Sequence, residues 1–364
     1  MSTNQRQFDW VIIGAGVIGC AIARELSLQS NFSVALIEQN RVGSGATLYS
    51  GGFVRVIHSE DHITEMAKES LPFFLQHKEE TGFDEIGTLF VPTAESLETI
   101  SEWVRTTSTR EHPIYLKQVK SLPEELRKIL PKRLDADYVV WEPVSGYADP
   151  LKSTLWLSNE AQKNGVELFE STQVQSIDTH GHDGFQLTTS DQVILTNGLI
   201  VCTGAWNSLA GDAFDLSDVQ RPKAIQAEFM RSQPLPSQHP ALIVGDPDVY
   251  MRPIGGDTWL VGTATSEWDI DVESPRRKDI THTDLTKETV SQALNIQKDA
   301  LNALGARVGF DGYTYGKTGY LGAKSKYKNV LFATGWSGMG FKLFPSIAKR
   351  ISHLATQSRN DVYE

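Results

Sequence analysis

The sequence predicts an α/β fold, in which a nucleotide-binding domain built from three separate segments of the chain carries a strand-rich domain inserted twice. The chain opens with a β-α-β pattern around a glycine-rich turn. Further apolar strands that end in glycine turns occur near positions 200 and 330. Between them lie strand-like segments in which apolar and polar residues alternate. The 364 residues are enough for two domains sharing one chain.

The composition excludes several classes of function. The formal net charge is −11 and no dense Lys/Arg block occurs, which argues against nucleic acid or an anionic membrane as the main partner. Met1 to Phe8 lacks the zones of a signal peptide, and no apolar run is long enough to span a bilayer. Cys20 and Cys202 give neither metal-ligand spacing nor a disulfide framework. We therefore expect a cytoplasmic protein without a metal site.

The opening β-α-β unit is the clearest local pattern. Asp9–Ile13 is an apolar strand that runs directly into the turn Gly14-Ala15-Gly16-Val17-Ile18-Gly19. A helical periodicity follows from about Val17 to Gln29, and Ser33–Glu38 forms a second strand that ends in a carboxylate. This context is what makes the short glycine motif informative.

Each glycine of the turn has a physical role in binding a dinucleotide. Gly14 permits the tight turn, Gly16 lets the backbone approach a pyrophosphate, and Gly19 allows close packing of helix on strand. The helix N-terminus offers free N–H groups and a partial positive charge to the phosphates. Glu38 lies 19 residues beyond Gly19 (38 − 19), near the spacing of the residue that accepts ribose hydroxyl bonds, and it disfavours a 2′-phosphate.

The remaining elements follow from hydrophobic periodicity and from glycine and proline breaks. Helices are predicted at Ile63–Gln76, Leu97–Thr106, Leu151–Asn164 and Leu285–Leu304 and from about Pro345. Strands are predicted at Gly87–Pro92, Gly165–Ile177, Gly184–Leu195, Gly198–Gly204, Val249–Pro253, Trp259–Thr263 and Asn329–Thr334. Residues 1–86, 143–220 and 311–364 are assigned to the nucleotide-binding domain, and residues 87–142 and 221–310 to the substrate domain.

Three further segments carry a family resemblance. They are Arg41-Val42-Gly43-Ser44-Gly45-Ala46-Thr47 running into Ser50-Gly51-Gly52, Val201-Cys202-Thr203-Gly204-Ala205-Trp206, and Ala333-Thr334-Gly335-Trp336-Ser337-Gly338-Met339-Gly340-Phe341-Lys342. In matching order along the whole chain, they resemble the D-amino-acid oxidase family of flavoenzymes, and within it the sarcosine and glycine oxidase branch. The resemblance implies FAD, bound by a Rossmann-like domain of the glutathione-reductase type with an inserted antiparallel-sheet substrate domain.

Motif and resemblance together predict the FAD site. Gly335, Gly338 and Gly340 let the main chain pass close to a flat ligand, and Pro345 suits the first turn of a helix whose positive end faces the flavin. The predicted site consists of Gly14, Gly16, Val17, Ile18, Gly19, Glu38, Gln39, Gly45, Ala46, Thr47, Ser50, Gly51, Gly52, Val174, Thr203, Gly204, Trp206, Gly335, Ser337, Gly338, Met339, Gly340, Phe341 and Lys342.

The link between FAD and the protein is predicted to be non-covalent. In sarcosine oxidases a cysteine near the segment that matches Phe310–Tyr315 bonds to the flavin. Here that segment reads Phe-Asp-Gly-Tyr-Thr-Tyr, and neither cysteine is near it in sequence.

The substrate site is expected to hold a carboxylate with basic side chains. By resemblance, Lys342 matches such a lysine and Arg55 matches a basic residue close to the flavin. His58 stands where sarcosine oxidases have an arginine, and a neutral histidine cannot form a two-point charged bond to a carboxylate. Arg252 either supplies the missing charge or makes a surface ion pair.

Two tyrosines and one histidine complete the predicted site. Tyr250 and Tyr313 are candidates for lining the substrate pocket, with core packing as the alternative. His58 is either a proton acceptor from the substrate ammonium group or a loop histidine whose bonds are satisfied locally.

Two absences bear on the electron acceptor. Leu260 aligns with a lysine that is thought to assist oxygen in sarcosine oxidases, and Ala264 aligns with the family's active-site histidine. Because this chain lacks both the lysine and the histidine, it could be a dehydrogenase that reduces an acceptor other than oxygen.

The resulting prediction is oxidation of the C–N bond of an amine or amino acid by hydride transfer to flavin N5. The alternatives are an accessory flavoprotein that modifies a protein or peptide, or a base in tRNA, and a dehydrogenase subunit that passes electrons to a partner. The acidic charge argues against tRNA.

Overall fold

Two large β-sheets organise the chain in the computed structural model. It describes residues 5–29, 32–93, 97–130, 138–181, 184–206, 208–214, 219–232, 239–316, 318–323, 327 and 329–360. Within these ranges there are two eight-stranded sheets and a short two-stranded ribbon. The ribbon pairs β3 (Phe53–Val54) with β7 (Gly146–Tyr147).

The first sheet has a parallel centre with antiparallel additions. Its parallel strands are β1 (Gln5–Ile13), β2 (Val34–Ile37), β8 (Glu167–Phe169), β11 (Val193–Val201) and β18 (Val330–Thr334). The antiparallel strands are β9 (Val174–His180), β10 (Gly184–Thr189) and β17 (Tyr320–Gly322). Because β2 and β18 are buried along their whole length, their sequences are continuous apolar runs rather than alternating ones.

Helices cover one face of this sheet. The helices of this layer are α1 (Val17–Gln29), α3 (Asp61–Gln76), α7 (Pro150–Lys163) and α10 (Gly340–Asn360). The buried side of α1 lies against α7 and α10, and α10 lies against α3, so one apolar core joins the helices to the sheet. The opposite face carries a second apolar cluster. The antiparallel strands β9 and β10 and helix α8 (Ser208–Phe214) contribute side chains to it.

The second sheet is antiparallel apart from one pair. Its strands in spatial order are β16 (Asn302–Thr314), β12 (Gln220–Arg231), β15 (Thr258–Thr263), β14 (Val249–Gly255), β13 (Ala241–Val244), β4 (Thr88–Val91), β6 (Tyr138–Glu142) and β5 (Tyr115–Gln118). Only β13 and β4 run parallel to each other. The remaining helices are α2 (Ala46–Tyr49), α4 (Lys78–Thr81), α5 (Leu97–Thr107), α6 (Glu124–Ile129) and α9 (Ile280–Ala293).

The two sheets support the proposed domain division without defining its boundaries. Strands β4 to β6 fall within residues 87–142, and β13 to β15 within residues 221–310. Strand β12 begins at Gln220 and β16 continues to Thr314, so the second sheet extends slightly beyond the segment assigned to it. We keep the division as a proposal.

Several predicted elements are wrong in part. The strand expected at Gly184–Leu195 is β10, a turn and the start of β11, and the strand expected at Gly198–Gly204 is the second part of β11. The helix expected at Leu285–Leu304 ends at Ala293, and Asn302 begins β16, because a long ladder with β12 overrides the helical periodicity. The strand expected at Gly165–Ile177 is two strands, β8 and β9, separated by a turn in which Ser171 has a positive φ of 52°. Each short strand joins a different part of the first sheet.

The terminal helix also begins earlier than predicted. It starts at Gly340, so Pro345 lies inside α10 rather than in its first turn. A proline there removes one helical hydrogen bond. Beside the proline, Ser346 N donates to the hydroxyl of Ser70 in α3 at 3.2 Å, which links α10 to α3 at this point.

Candidate active site

A cavity of about 690 Å³ is lined by residues from both large sheets. Its wall includes the carboxyl ends of β1 and β2, the start of α1, the turn before α10, and side chains of β12, β14 and β16. Ligands of open α/β sheets bind beyond the carboxyl ends of the strands, and this cavity has that position. It is therefore the candidate active site.

The predicted cofactor residues meet in this wall. They are Gly14, Gly16, Val17, Ile18, Glu38, Gln39, Gly45, Ala46, Thr47, Ser50, Gly51, Gly52, Val174, Thr203, Gly204, Trp206, Gly335, Ser337, Gly338, Met339, Gly340, Phe341 and Lys342. Gly19 does not line the cavity, which agrees with the packing role predicted for it.

The first glycine turn is tight for steric reasons. Gly14 has φ +103°, and a Cβ there would lie 2.5 Å from Cys202 O. A Cβ on Gly19 would lie 1.9 Å from Gly14 O. By contrast, a Cβ on Gly16 would approach only Thr47 Oγ1, at 3.3 Å, so the space in front of Gly16 stays open for a ligand. This turn fits a pyrophosphate approaching the N-terminus of α1.

Glu38 lies at the end of β2 and is held by the turn. Its carboxylate accepts N–H bonds from Ala15 and Asn40, both at 2.9 Å. Burial raises the pKa of Glu38, and these two bonds oppose the shift. The neighbouring wall residues Thr172 and Gln173 were not predicted, because no motif marks the turn between β8 and β9.

The second glycine turn, residues 335–340, is fastened to the end of β16. Ser337 N donates to Gly312 O at 3.0 Å, and Gly338 N donates to Asp311 Oδ2 at 2.9 Å. Ser337 has φ 52° and Gly338 has φ +83°, which are left-handed conformations of the kind that concentrate at ligand sites. Helix α10 begins directly after this turn and presents its positive end to the cavity.

Asp311 is a wall residue that the sequence analysis missed. Its two oxygens accept the N–H groups of Gly312 and Gly338, at 2.8 and 2.9 Å. Burial raises the pKa of Asp311 to about 6, although both bonds favour the charged form. A carboxylate thus holds the glycine turn in place.

Two cations, one buried and one half-buried, mark the other end of the cavity. Lys342 is 6% exposed, and its Nζ has no hydrogen-bond partner among the residues described. Arg55 donates to Ile57 O. Burial lowers the pKa of both groups, and in each case the charge of Glu142 opposes the shift.

Glu142 is the counter-charge behind this wall. It is 4% exposed and accepts bonds from Val56 N and Ile57 N, so it also fixes the loop that carries Arg55. Glu142 thus acts on both cations, and Lys342 still has no hydrogen-bond partner among the described residues, which leaves its side of the cavity suited to an anionic ligand.

His58 lines the cavity as a neutral hydrogen-bond donor. Burial, followed by the charges of Lys342 and Arg55, lowers the pKa of His58 to about 3. Its Nδ1 accepts the N–H of Glu60 at 3.1 Å, so the proton of the neutral ring is assigned to Nε2. The bond at Nδ1 fits the alternative of a loop histidine whose bonds are satisfied locally, and the role of His58 as a proton acceptor stays a prediction.

Arg252 is buried and is not among the residues that line the cavity. It is 4% exposed, its Nε donates to Gly51 O at 2.6 Å, and its guanidinium lies 4.1 Å from the centre of the Tyr147 ring. The hypothesis of a surface ion pair is therefore wrong, and a role as substrate anchor stays a prediction. Its position supports Gly51 from behind, a role that could not be inferred before β14 was placed next to that loop.

The two tyrosines that were predicted for the substrate pocket belong to the cavity wall. Tyr250 and Tyr313 both line the cavity, and the ring of Tyr250 meets Phe53 edge-on at 5.5 Å. Other wall residues without a sequence signal are Tyr49, Phe53, Asp248, Arg307 and Trp336. Leu260 is fully buried in β15 and is not in the wall.

Curated relatives are similar to parts of this chain. Glycine oxidase of Geobacillus kaustophilus is 25% identical over 281 residues, which is 73% of this chain and 72% of that protein. Mitochondrial dimethylglycine dehydrogenase of Rattus norvegicus is 24% identical over 236 residues, which is 63% of this chain and only 27% of the rat protein. The chain thus spans well under half of some of the relatives it matches.

Solved structures show the same fold. The crystal structure of glycine oxidase from Geobacillus kaustophilus superposes with a TM-score of 0.82 at 21% identity, covering 97% of this chain and 95% of that one. L-proline dehydrogenase from P. horikoshii gives a TM-score of 0.83 at 21% identity, with 97% and 94% covered. Among the described residues, no helix has the length and apolar character needed to cross a bilayer.

The family model named DAO, FAD-dependent oxidoreductase, matches residues 9–354, nearly the whole chain. The glycine turns, the open space before Gly16 and the cation-rich end of the cavity fit the pyrophosphate and flavin of that cofactor. The protein therefore belongs to the DAO family of FAD-dependent oxidoreductases.

Proposed function

We propose that the protein oxidises the C–N bond of an amine or amino acid, with hydride transfer to N5 of FAD. The observation that supports this most directly is the pair of cations in the cavity wall, the buried Lys342 and the half-buried Arg55. Burial of an ammonium group without a hydrogen-bond partner costs free energy, unless a ligand accepts its hydrogen bonds. An anionic substrate group is the ligand that this end of the cavity would take.

The residues have distinct proposed roles. FAD supplies the hydride acceptor, and the protein supplies position and electrostatics. Lys342 and Arg55 bind the carboxylate of the substrate, and the Nε2–H of His58 donates a further hydrogen bond to it. Tyr250 and Tyr313 border the substrate. No strong general base is required if hydride transfer is direct, which is consistent with the donor state of His58.

FAD is proposed to bind without a covalent link. Cys202 lines the cavity, but its Cβ lies 3.6 Å from the position of a Cβ on Gly19, at the pyrophosphate end. Cys20 is fully buried, and burial raises the pKa of both thiols, so neither is an activated nucleophile. Denaturation should release free FAD.

Anaerobic titration of the flavin absorbance tests the reaction. The purified holoenzyme is mixed in turn with glycine, sarcosine, proline and other D- and L-amino acids. Bleaching of the oxidised flavin band by one of them is the expected result. A band that none of these compounds bleaches would count against a small amine substrate and favour the protein-modifying alternative.

The same anaerobic sample then shows which electron acceptor reoxidises the flavin. Leu260, rather than a lysine, occupies the aligned position on β15, and it is buried away from the cavity. We therefore propose a dehydrogenase, for which admission of air restores the flavin band slowly and an added dye acceptor restores it quickly. Fast recovery in air would make the protein an oxidase.

A further inference from the structure

Asp248 is a carboxylate in the cavity wall with no assigned role. It lies at the end of the turn between β13 and β14, at residues 245–248, where it is exposed to solvent and belongs to the cavity wall. Within the described residues, Asp248 makes no hydrogen bond or ion pair. Burial raises its pKa, and the charges of Arg55 and Lys223 oppose that shift, so the carboxylate lies within electrostatic reach of both cations.

Other carboxylates in the wall differ from Asp248. Glu38 and Asp311 accept backbone N–H bonds and hold the two glycine turns. Glu60 and Glu273 are exposed, as Asp248 is, but Glu60 precedes α3 and Glu273 follows β15, whereas Asp248 leads directly into β14 and Tyr250. Asp248 thus combines a position beside the substrate-binding tyrosines with unused acceptor oxygens.

The surroundings of Asp248 place it at the substrate end of the cavity. Burial, and then the charge of Asp248, raise the pKa of Tyr250 to about 12. Nearby wall residues are apolar: Ile243 pairs with Tyr250 across β13 and β14, and Ile225 and Ala227 come from β12. This end of the cavity therefore contains cations, an apolar surface and an anion.

The amine that reacts is a poor partner for Asp248. Its nitrogen must be neutral for the adjacent carbon to release a hydride. A carboxylate next to that nitrogen would stabilise the ammonium form and slow the reaction. The unpaired carboxylate is more useful to a positive group that does not react.

We propose that Asp248 binds a second cationic group of the substrate, so that the preferred substrates are amino acids whose side chain ends in an ammonium or guanidinium group. This inference rests on the proposed C–N oxidation. Lys342 and Arg55 hold the substrate carboxylate, the methylene chain lies along the apolar wall, and the terminal cation reaches Asp248.

The first test needs no variant. Both enantiomers of lysine, ornithine and norleucine are titrated anaerobically into the holoenzyme, and flavin reduction gives a dissociation constant and a limiting rate for each. Norleucine replaces the terminal ammonium by a methyl group. We expect the basic amino acids to bind at least about tenfold more tightly, the scale of a charged hydrogen bond. Equal binding of lysine and norleucine would overturn the inference.

A pair of variants on one turn tests the residue. Asp248→Asn should reduce the preference for lysine over norleucine to about threefold or less, through the dissociation constant rather than the limiting rate. Asp246→Asn is the matched control, because Asp246 is exposed on the same turn and lies outside the wall. An unchanged preference in Asp248→Asn would contradict the assignment.

Failure of the inference and failure of the proposed function look different. If neutral amino acids reduce the flavin as well as basic ones do, C–N oxidation stands and the role of Asp248 is wrong. If no amino acid reduces the flavin, both are wrong.

Discussion

Lys342 is a buried cation whose partner the protein itself does not provide. Its Nζ has no hydrogen-bond partner among the described residues, and the nearby Arg55 adds a second positive charge. The charge of Glu142 opposes both cations from the protein side, and that of Asp248 opposes Arg55. Such an arrangement costs stability in the free protein and is favourable when an anion binds.

Replacement of Lys342 by methionine should therefore have opposite effects on stability and binding. Met preserves length and removes the buried charge, so we expect Lys342→Met to stabilise the apoprotein by about 1–3 kcal/mol. Amino-acid affinity should fall about tenfold or more. Thermal unfolding and anaerobic flavin titration measure the two effects.

Lys349→Met is the control for that experiment, since Lys349 is exposed on the same helix. It should change neither quantity appreciably. A loss of apoprotein stability in Lys342→Met would show that the lysine is structural.

At the scale of elements, the two glycine turns bring the backbone to the ligand. The first turn is stabilised by helix–strand packing, and the second by the end of β16 through Asp311 and Gly312. Gly16 and Gly19 belong to the same turn but differ in what surrounds them. This difference separates ligand binding from folding.

Alanine at these two glycines should therefore give distinct results. Gly16→Ala adds a Cβ that meets only Thr47 Oγ1 at 3.3 Å, so apoprotein stability should change by less than about 1 kcal/mol while FAD affinity falls about tenfold or more. Gly19→Ala places a Cβ 1.9 Å from Gly14 O and should destabilise the fold by several kcal/mol. Quenching of FAD fluorescence and thermal unfolding measure both. Equal loss of stability in the two variants would contradict this distinction.

At the scale of the whole molecule, stability depends on histidines buried in the neutral form. His239 is 5% exposed in the core of the second sheet, and its ring lies 5.2 Å from that of Trp259. Neither ring nitrogen has a hydrogen-bond partner within the described residues. Burial lowers the pKa of His239 to about 4, from an ordinary value of 6.5.

This shift predicts a loss of stability in acid. Between pH 6.5 and 4 the unfolded chain binds the proton and the folded protein does not, so unfolding becomes more favourable as the pH falls. His239→Phe removes this contribution. Above pH 7 the free energy of unfolding of the two apoproteins, measured by thermal unfolding, should vary with pH in the same way. Near pH 4 the variant should have gained about 2–3 kcal/mol of stability relative to the unmodified protein. Parallel pH profiles for the two proteins would contradict the prediction.

The sequence by itself determined the β1-α1-β2 unit and both glycine turns. These features depend on hydrophobic period and on backbone conformations such as the φ of +103° at Gly14, which are properties of short segments. The choice of FAD and the place of Lys342 beside the second turn came from the resemblance of these segments to the D-amino-acid oxidase family.

Only the tertiary structure decided which side chains from the second sheet face the cavity. Asp248 and Arg307 line the cavity and Arg252 does not, although no local sequence pattern distinguishes them. Their positions depend on the pairing of β12 with β16 and of β13 with β14, and on how that sheet meets the glycine turns. Contacts between residues far apart in the chain depend on the assembled core, and for that reason the substrate end of the site could not be predicted from the sequence.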